Sequence, residues 1–422
     1  MNSATDDIES DLPGFYYDTK KGKYFRITPR HASNPLHPEN IRRIQGFRRS
    51  EQVNNEIRKR NSVSVSKSIA LRQAGGPSRR GLTSFTTSII KSAMSQLKQR
   101  SSLTVGADFP EVELRGPLHS AMADDIVCTA YARKGGSGSV VISSKMSITG
   151  ETQISARHSL TNSFPSHKIV DLAPMKISNA HFAAVVCQAL NRDEHFVSIR
   201  PMFLDDVRLD DLSKSYHFPA TETLWSLCVT PTLVVVGAER KIEMIRLDDG
   251  QTSVVRVPTE NVFALENDGE LLFAGTNKGN VQLVDCRAAD KVSSTSPIIR
   301  IGSTISNLKI SSNQILVSGY DHKLALFDRR STSSPLATFK EHRNDCRPHL
   351  SLSLNERLGI AASVGSDSVI RVWSLSDRQL SAWISEEEFI NRDSSPCFVV
   401  SEQWGTPCSL LVSSGDTLAF YK

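Results

Sequence analysis

Two segments between residues 271 and 330 repeat one pattern, and this repeat constrains the fold more than any other feature of the chain. Each has an apolar run, four polar turn residues and a second apolar run that ends in Asp-x-Arg. The endings are residues 285–287 and 328–330, and their aspartates lie 43 residues apart. Repeats of roughly 40–45 residues are typical of four-stranded units that stack in series, because one unit alone cannot bury its apolar faces.

The chain after about residue 104 has the texture of an all-β domain. Short apolar runs alternate with turns rich in Gly, Ser, Asn and Asp, which indicates many short strands. The last run stops at its third strand, so we expect a strand within 104–116 to close the ring, since an open edge exposes unpaired donors and acceptors. We predict a seven-bladed β-propeller over 104–422, with blades near 118–165, 168–216, 222–258, 260–300, 303–340, 342–390 and 395–422.

One stretch of this region, residues 363–373, resembles the core of a WD repeat. Asp367 lies in the turn between two strands, and Trp373 ends the second of them. In WD repeats a turn Asp, a His, a Ser or Thr and the Trp form a buried hydrogen-bonded set that locks a blade. The resemblance implies that Ser363, Asp367 and Trp373, together with His342, have these roles here. Most other Trp positions hold Phe, Val or Met.

A basic arm precedes the predicted propeller. Residues 1–103 carry 19 basic and 8 acidic residues, whereas the rest of the chain has a net charge of −6. We divide the arm into an aromatic segment at 1–38 and a Ser- and Arg-rich linker at 39–103, which is expected to be partly disordered. Short helices are predicted near 39–60 and 84–100. Such an arm can contact nucleic acid or an acidic protein surface.

The aromatic residues of the segment at 1–38 all lie within Leu12–Phe25. Aromatic pairs flank a turn at Asp18–Gly22, which predicts a small β-hairpin. An isolated hairpin is marginally stable in water, so its rings are expected to lie on the propeller or on a partner.

The chain shows no motif for catalysis, metal binding or membrane insertion. No nucleotide-binding loop, nucleophile elbow or zinc motif is present, and no two of the seven cysteines form Cys-x-x-Cys. We therefore predict no enzyme activity, no cofactor and no metal. No apolar run reaches the roughly 18–20 residues that span a bilayer. Together with the absence of a signal-peptide pattern, this predicts an intracellular protein of the nucleus, the cytoplasm or both.

The two Asp-x-Arg endings resemble the double box of the substrate receptors of cullin-4 ubiquitin ligases. In that family two arginines on neighbouring blades face the damaged-DNA-binding-protein adaptor. The resemblance implies that Asp285, Arg287, Asp328 and Arg330 form a partner-binding site, although Val and Phe stand where the family has Trp. A local alternative is that each arginine only braces its own blade through the preceding aspartate.

The aromatic segment also resembles the opening of a receptor of this class. The implied function is a non-enzymatic substrate receptor that docks on the adaptor and recruits an unidentified protein for ubiquitination. The alternative is a WD-repeat scaffold that binds RNA or chromatin complexes through the basic arm. Nucleic acid is the less favoured partner, because no aromatic residues interleave the basic stretch.

Overall fold

The protein is described by a computed structural model. The described residues are 15–18, 23–26, 99–109, 111–123, 125–134, 138–149, 153–177, 180–190, 194–203, 213–219, 221–287, 297–311, 313–348, 350–355, 359–375, 379–384, 397–401 and 409–421. Most of them belong to β-strands, and 3-10 turns are present at Val105–Asp108 and at residues 286–287.

The predicted hairpin is present at the front of the chain. Strands β1 (Phe15–Asp18) and β2 (Lys23–Arg26) pair antiparallel, with Tyr16 opposite Phe25. The predicted helix at 39–60 and residues 84–98 of the second one lie outside the described part of the chain. Residues 99 and 100, at the end of that second helix, begin a strand instead, β3 (Gln99–Thr104).

The first three blades each contain four consecutive antiparallel strands. The first blade has β4 (Leu114–Ala123), β5 (Ile126–Arg133), β6 (Ser139–Thr149) and β7 (Gln153–Phe164). The second has β8 (His167–Ile177), β9 (Ala180–Ala189), β10 (His195–Pro201) and β11 (Lys214–Phe218). The third has β12 (Leu224–Val229), β13 (Leu233–Ala238), β14 (Lys241–Arg246) and β15 (Thr252–Arg256).

The next three blades repeat this order, and the seventh takes its last strand from upstream. The fourth has β16 (Val262–Asp268), β17 (Leu271–Thr276), β18 (Asn280–Asp285) and β19 (Pro297–Arg300). The fifth has β20 (Ile305–Ile310), β21 (Gln314–Gly319), β22 (Leu324–Asp328) and β23 (Ser331–Thr338). The sixth has β24 (Leu352–Asn355), β25 (Ile360–Val364), β26 (Ile370–Ser374) and β27 (Gln379–Ile384). The seventh has β28 (Cys397–Ser401), β29 (Ser409–Ser414), β30 (Thr417–Tyr421) and β3.

The ring is closed by hydrogen bonds between β3 and β30, which pair antiparallel. A closing strand from upstream was predicted, but it lies at 99–104 rather than within 104–116. Residues 105–108 form the 3-10 turn, and β4 begins at Leu114, so the expected stretch is used to enter the first blade. The first strands of neighbouring blades contact each other around the whole ring, including β28 with β4. The predicted seven-bladed all-β propeller is therefore confirmed.

The hydrophobic core of the ring is divided among the interfaces between blades. Seven separate clusters of buried side chains each draw on two neighbouring blades. The second strand of a blade explains this arrangement, because it has neighbouring blades on both of its faces. Such strands read as continuous apolar runs, as in β13 (Leu-Val-Val-Val-Gly-Ala) and β25 (Ile-Ala-Ala-Ser-Val).

Tight turns keep the two copies of the repeat in the same register. In the fourth blade Gly279 adopts a positive φ of 79°, and an added Cβ there would lie 2.6 Å from the Ser303 carbonyl oxygen of the next blade. In the fifth blade Asp321 and His322 both take positive φ, at 55° and 61°. Two successive left-handed residues are typical of the two-residue hairpin turn. Because both turns are short, the strand pairs β17–β18 and β21–β22 end at equivalent positions of the repeat.

Candidate partner-binding site

The first Asp-x-Arg ending lies at the end of β18, the third strand of the fourth blade. The Asp285 carboxylate accepts a hydrogen bond from the Arg287 backbone N–H at 3.0 Å. The Arg287 side chain also donates through Nε at 3.0 Å and through Nη2 at 2.8 Å. These bonds hold the pKa of Asp285 down at about 2. The Arg287 side chain is nevertheless 69% exposed, so one edge of its guanidinium is held while the rest faces solvent.

The second ending repeats this geometry at the end of β22 in the fifth blade. Asp328 accepts a hydrogen bond from the Arg330 backbone N–H at 2.9 Å, and Arg330 Nε and Nη2 lie 3.4 Å from its two oxygens. The backbone bond, followed by the side-chain bonds, lowers the pKa of Asp328. The Arg330 side chain is 78% exposed. The two endings are thus equivalent in structure as well as in sequence.

An ion pair between the blades shows that both endings belong to one face of the ring. Asp285 pairs with Leu271 across the fourth blade, and Leu271 also pairs with Asp268 at the tip of the first hairpin. Arg329, which directly follows the end of β22, donates to the Asp268 carboxylate. Its guanidinium carbon also lies 5.4 Å from the ring centre of Phe273. The ends of β18 and β22 therefore lie side by side on the same rim, which we call the arginine rim.

Ser363, Asp367, Trp373 and His342 were predicted to form one hydrogen-bonded set in the sixth blade, but only Ser363 and His342 bond to each other. His342 is fully buried between two blades, with Nδ1 3.4 Å from Ser363 Oγ and Nε2 3.3 Å from Ser318 Oγ of the fifth blade. Burial, and then the positive charge of Arg371, lowers the pKa of His342 to about 3. The imidazole is therefore neutral at physiological pH and links two blades by weak hydrogen bonds.

Asp367 bonds to Arg371 rather than to this histidine. Arg371 Nη1 and Nη2 donate to its two carboxylate oxygens at 2.9 Å and 2.6 Å, and the arginine side chain is 1% exposed. Trp373 is fully buried and packs edge-on against His342, with ring centres 6.3 Å apart. Its indole N–H has no hydrogen-bond acceptor among the described residues. Ser363 and Asp367 are consequently tied to different partners, and Trp373 contributes by packing.

A cavity of about 290 Å³ occupies the axis of the ring. The first strands of the blades line it and bring together two carboxylates, Asp171 and Glu266, with the amine of Lys309. Asp171 Oδ1 and Oδ2 accept the backbone N–H groups of Leu172 and Leu227, both at 2.8 Å. Burial outweighs these bonds and raises the pKa of Asp171 to about 6.

Acidification is expected to stabilise the fold through Asp171. Its pKa is about 6 when folded, against 3.8 for a free side chain, so the folded state binds the proton more tightly. This contribution is greatest at low pH and is lost as the pH rises through 6, by about 2 kcal/mol between roughly pH 4.5 and pH 7. Unfolding in urea at both pH values, for the wild type and Asp171→Asn, measures it. Because both proteins keep His119, Glu266 and Lys309, the difference between their pH dependences measures the contribution of Asp171, and equal pH dependence would contradict the assignment.

Within the described residues, no group of three or more His, Cys, Asp or Glu side chains is arranged to hold a metal ion. The same part of the chain contains no helix long and apolar enough to cross a membrane.

The seven four-stranded blades define this molecule as a β-propeller protein, and its repeat motifs resemble WD repeats. No family model matches the chain. WD repeat-containing protein 21 of Schizosaccharomyces pombe is 23% identical over 398 residues, covering 86% of this chain and 87% of its own length. DDB1- and CUL4-associated factor 4 is 23% identical in Bos taurus (88% of this chain, 78% of its own) and 22% identical in Homo sapiens (97% and 86%). The chain is thus similar to a WD-repeat protein and to DDB1- and CUL4-associated factor 4, which confirms the resemblance inferred from the sequence.

Three groups of residues at these sites were missed in the sequence. Arg371 could have been found, because it is the one charge in the apolar run Val369–Trp373 and lies four residues after Asp367. Glu266 and Lys309 lie 43 residues apart, which is the distance between the two Asp-x-Arg aspartates, so superposing the repeats would have paired them. The Arg329 bridge to Asp268 has no such signal, since it joins a strand end to a hairpin tip of another blade.

Proposed function

We propose that this protein is a non-enzymatic substrate receptor that docks through its arginine rim on the damaged-DNA-binding-protein adaptor, DDB1, of a cullin-4 ubiquitin ligase. One observation carries the proposal. Arg287 and Arg330 occupy equivalent strand ends of adjacent blades on one face, and both side chains are more than two-thirds exposed. The names of two similar proteins support the choice of partner, because they describe association with DDB1 and CUL4.

The geometry of the rim suits recognition of a protein surface. A guanidinium offers a planar fork of donors that matches carboxylates and backbone carbonyls. The preceding aspartate holds Nε and Nη2 of Arg287 in place, so less side-chain freedom is lost when a partner binds. Arg329 already bonds to Asp268 of the neighbouring blade. Arg287 and Arg330 are therefore the exposed pair of arginines at this rim.

Under this proposal the recruited protein binds elsewhere on the molecule, on the opposite face of the ring or on the β1–β2 hairpin. The protein would act inside the cell, in the nucleus, the cytoplasm or both.

The combined substitution Arg287→Ala and Arg330→Ala is expected to weaken binding of purified DDB1 by about tenfold or more. The substitution removes both guanidinium groups from one face, while the apolar clusters between the blades stay intact. The matched control replaces Arg256 and Arg300 with Ala. These exposed arginines also lie on neighbouring blades, but opposite Lys241 and Asn280, which begin the third strands and so mark the other face. Affinities are measured by surface plasmon resonance, with thermal unfolding of each variant.

The local alternative predicts a different result. If the arginines only brace their own blades, the rim variant unfolds at a lower temperature and binds DDB1 as the wild type does. That outcome, or equal weakening by the control substitutions, would reject the docking role.

A further inference from the structure

The cavity on the axis of the propeller has an unbalanced charge. Lys309 Nζ lies 2.5 Å from Glu266 Oε2, so this pair neutralises itself. Burial alone would lower the pKa of Lys309, but the Glu266 carboxylate outweighs it and raises the pKa, which keeps the amine charged. Asp171 is the remaining carboxylate, and its oxygens accept only uncharged backbone N–H groups among the bonds described above. Counting Asp171, Glu266 and Lys309, the cavity carries one net negative charge, and His119 Nδ1 lies 4.0 Å from Asp171 Oδ1.

Apolar side chains form part of the cavity wall. They include Leu118, Leu172, Leu352 and the ring of Phe263, and Phe263 is held by Trp225 with ring centres 4.5 Å apart. A cation placed over an aromatic ring is attracted by the electrons of its face. The cavity thus combines apolar side chains and an aromatic ring with the Asp171 carboxylate, which has no lysine or arginine within ion-pair distance among the described residues.

Size limits the occupant to a single extended group. The volume of about 290 Å³ is at the lower end of the roughly 300–1,000 Å³ found for small-molecule pockets. The carboxylates are accessible within it, with Asp171 and Glu266 side chains 23% and 24% exposed. Lysine and arginine side chains fit such a cavity, because each has an apolar stem that ends in a cationic head.

We propose that the axial cavity binds one lysine or arginine side chain of a protein segment, with the stem along the apolar side chains and the cationic head at Asp171. This role rests on the proposed function only in assigning that segment to the recruited protein. It adds a chemical class of substrate, namely an exposed segment with a basic residue. The site uses side chains of the inner strands and none of the arginine rim, so both sites can be occupied together.

The test uses the full-length protein and fluorescein-labelled peptides of sequence Gly-Ser-Gly-X-Gly-Ser-Gly, followed by fluorescence anisotropy. X is arginine, lysine, citrulline or glutamate, and citrulline matches arginine in shape without its charge. The arginine and lysine peptides are expected to bind about tenfold or more tightly than the citrulline and glutamate peptides. Equal binding of the arginine and citrulline peptides, or preference for glutamate, overturns the proposal.

Two substitutions with opposite expected effects separate charge from folding. Asp171→Asn removes the unbalanced carboxylate and is expected to weaken arginine-peptide binding about tenfold or more. Lys309→Met removes the competing cation and frees Glu266, and is expected to tighten binding about threefold. A shared loss of binding in both variants means that the residues only support the fold, and it overturns the proposal. The sign of the Lys309→Met effect remains decisive if Asp171→Asn lowers stability because its amide nitrogen cannot accept one of the two hydrogen bonds from Leu172 and Leu227.

DDB1 binding is measured on the same proteins. Asp171→Asn is expected to keep it, and the Arg287→Ala and Arg330→Ala variant is expected to keep peptide binding. A protein that binds the arginine peptide but not DDB1 overturns the proposed function and supports the axial site. A protein that binds DDB1 but no basic peptide overturns the axial site and supports the docking proposal.

Discussion

Deletion of residues 1–104 is expected to leave a propeller that does not stay folded, whereas deletion of residues 1–98 is expected to leave a stable ring. The two truncations differ only in β3, which supplies the fourth strand of the seventh blade. Five residue pairs join β3 to β30, so the loss is about 5 kcal/mol if each pair contributes roughly 1 kcal/mol. A domain is typically stable by only about 5–15 kcal/mol, and the exposed edge of β30 would also favour aggregation.

Thermal unfolding and size-exclusion chromatography of the two truncated proteins measure this effect. The shorter deletion is the matched control, because it removes the hairpin and most of the basic arm but keeps the closing strand. If both proteins unfold at the same temperature as the full chain, closure through β3 is not needed for stability. Binding of DDB1 to the protein without residues 1–98 further shows whether the arm contributes to docking.

Replacement of Asp367 by Ala is expected to lower the free energy of unfolding by roughly 3–4 kcal/mol. The substitution leaves the Arg371 guanidinium buried at 1% exposure without the carboxylate that accepts from both Nη1 and Nη2. Loss of one partner of a buried pair costs roughly 3–5 kcal/mol, and the lower part of that range applies because the Asp367 side chain is 40% exposed.

The double variant Asp367→Ala and Arg371→Met serves as the internal control. It removes both charges and leaves an apolar side chain in the same space, so we expect it to recover most of the stability lost by Asp367→Ala. Urea unfolding of the single and double variants provides the comparison. A double variant as unstable as the single one would show that the loss comes from the turn at Asp367 and not from removing the carboxylate that faces the Arg371 guanidinium.

These two predictions locate the stability of the ring in different features. Closure depends on backbone pairing between the two ends of the domain, whereas the sixth blade depends on a buried charge pair. The exposed Arg287 and Arg330 belong to neither, since their aspartates hold them at the surface. The residues of the docking proposal can therefore be changed with little expected effect on folding.

Much of the fold was predictable because a blade is a local unit. The second strands, such as β13 and β25, are mostly apolar, and the turn at Gly279 separates two strands, so most blades could be located to within a few residues. The position of β3 was not predictable in the same way. Its sequence, Gln-Arg-Ser-Ser-Leu-Thr, is mostly polar, and it is a strand because β30 offers it an unpaired edge.

The hydrogen bonds of the sixth blade also required the structure. Ser363, Asp367 and Trp373 could be assigned to one set by resemblance, but Ser363 faces Arg371 across the strand pair β25–β26. Arg371 is charged and donates two hydrogen bonds to Asp367, whereas His342 is neutral. The Asp367 carboxylate therefore binds the Arg371 guanidinium and not the imidazole.

The amino-acid sequence by itself determined the repeat, the all-β class and the paired Asp-x-Arg endings, because these depend on residues that are close together in the chain. Only the tertiary structure decided which charges meet on the axis. Asp171, Glu266 and Lys309 come from three different blades and converge because the first strand of every blade faces the centre of the ring. Closure of the ring likewise joins residues 99–104 to residues 417–421, a contact that no local pattern can specify.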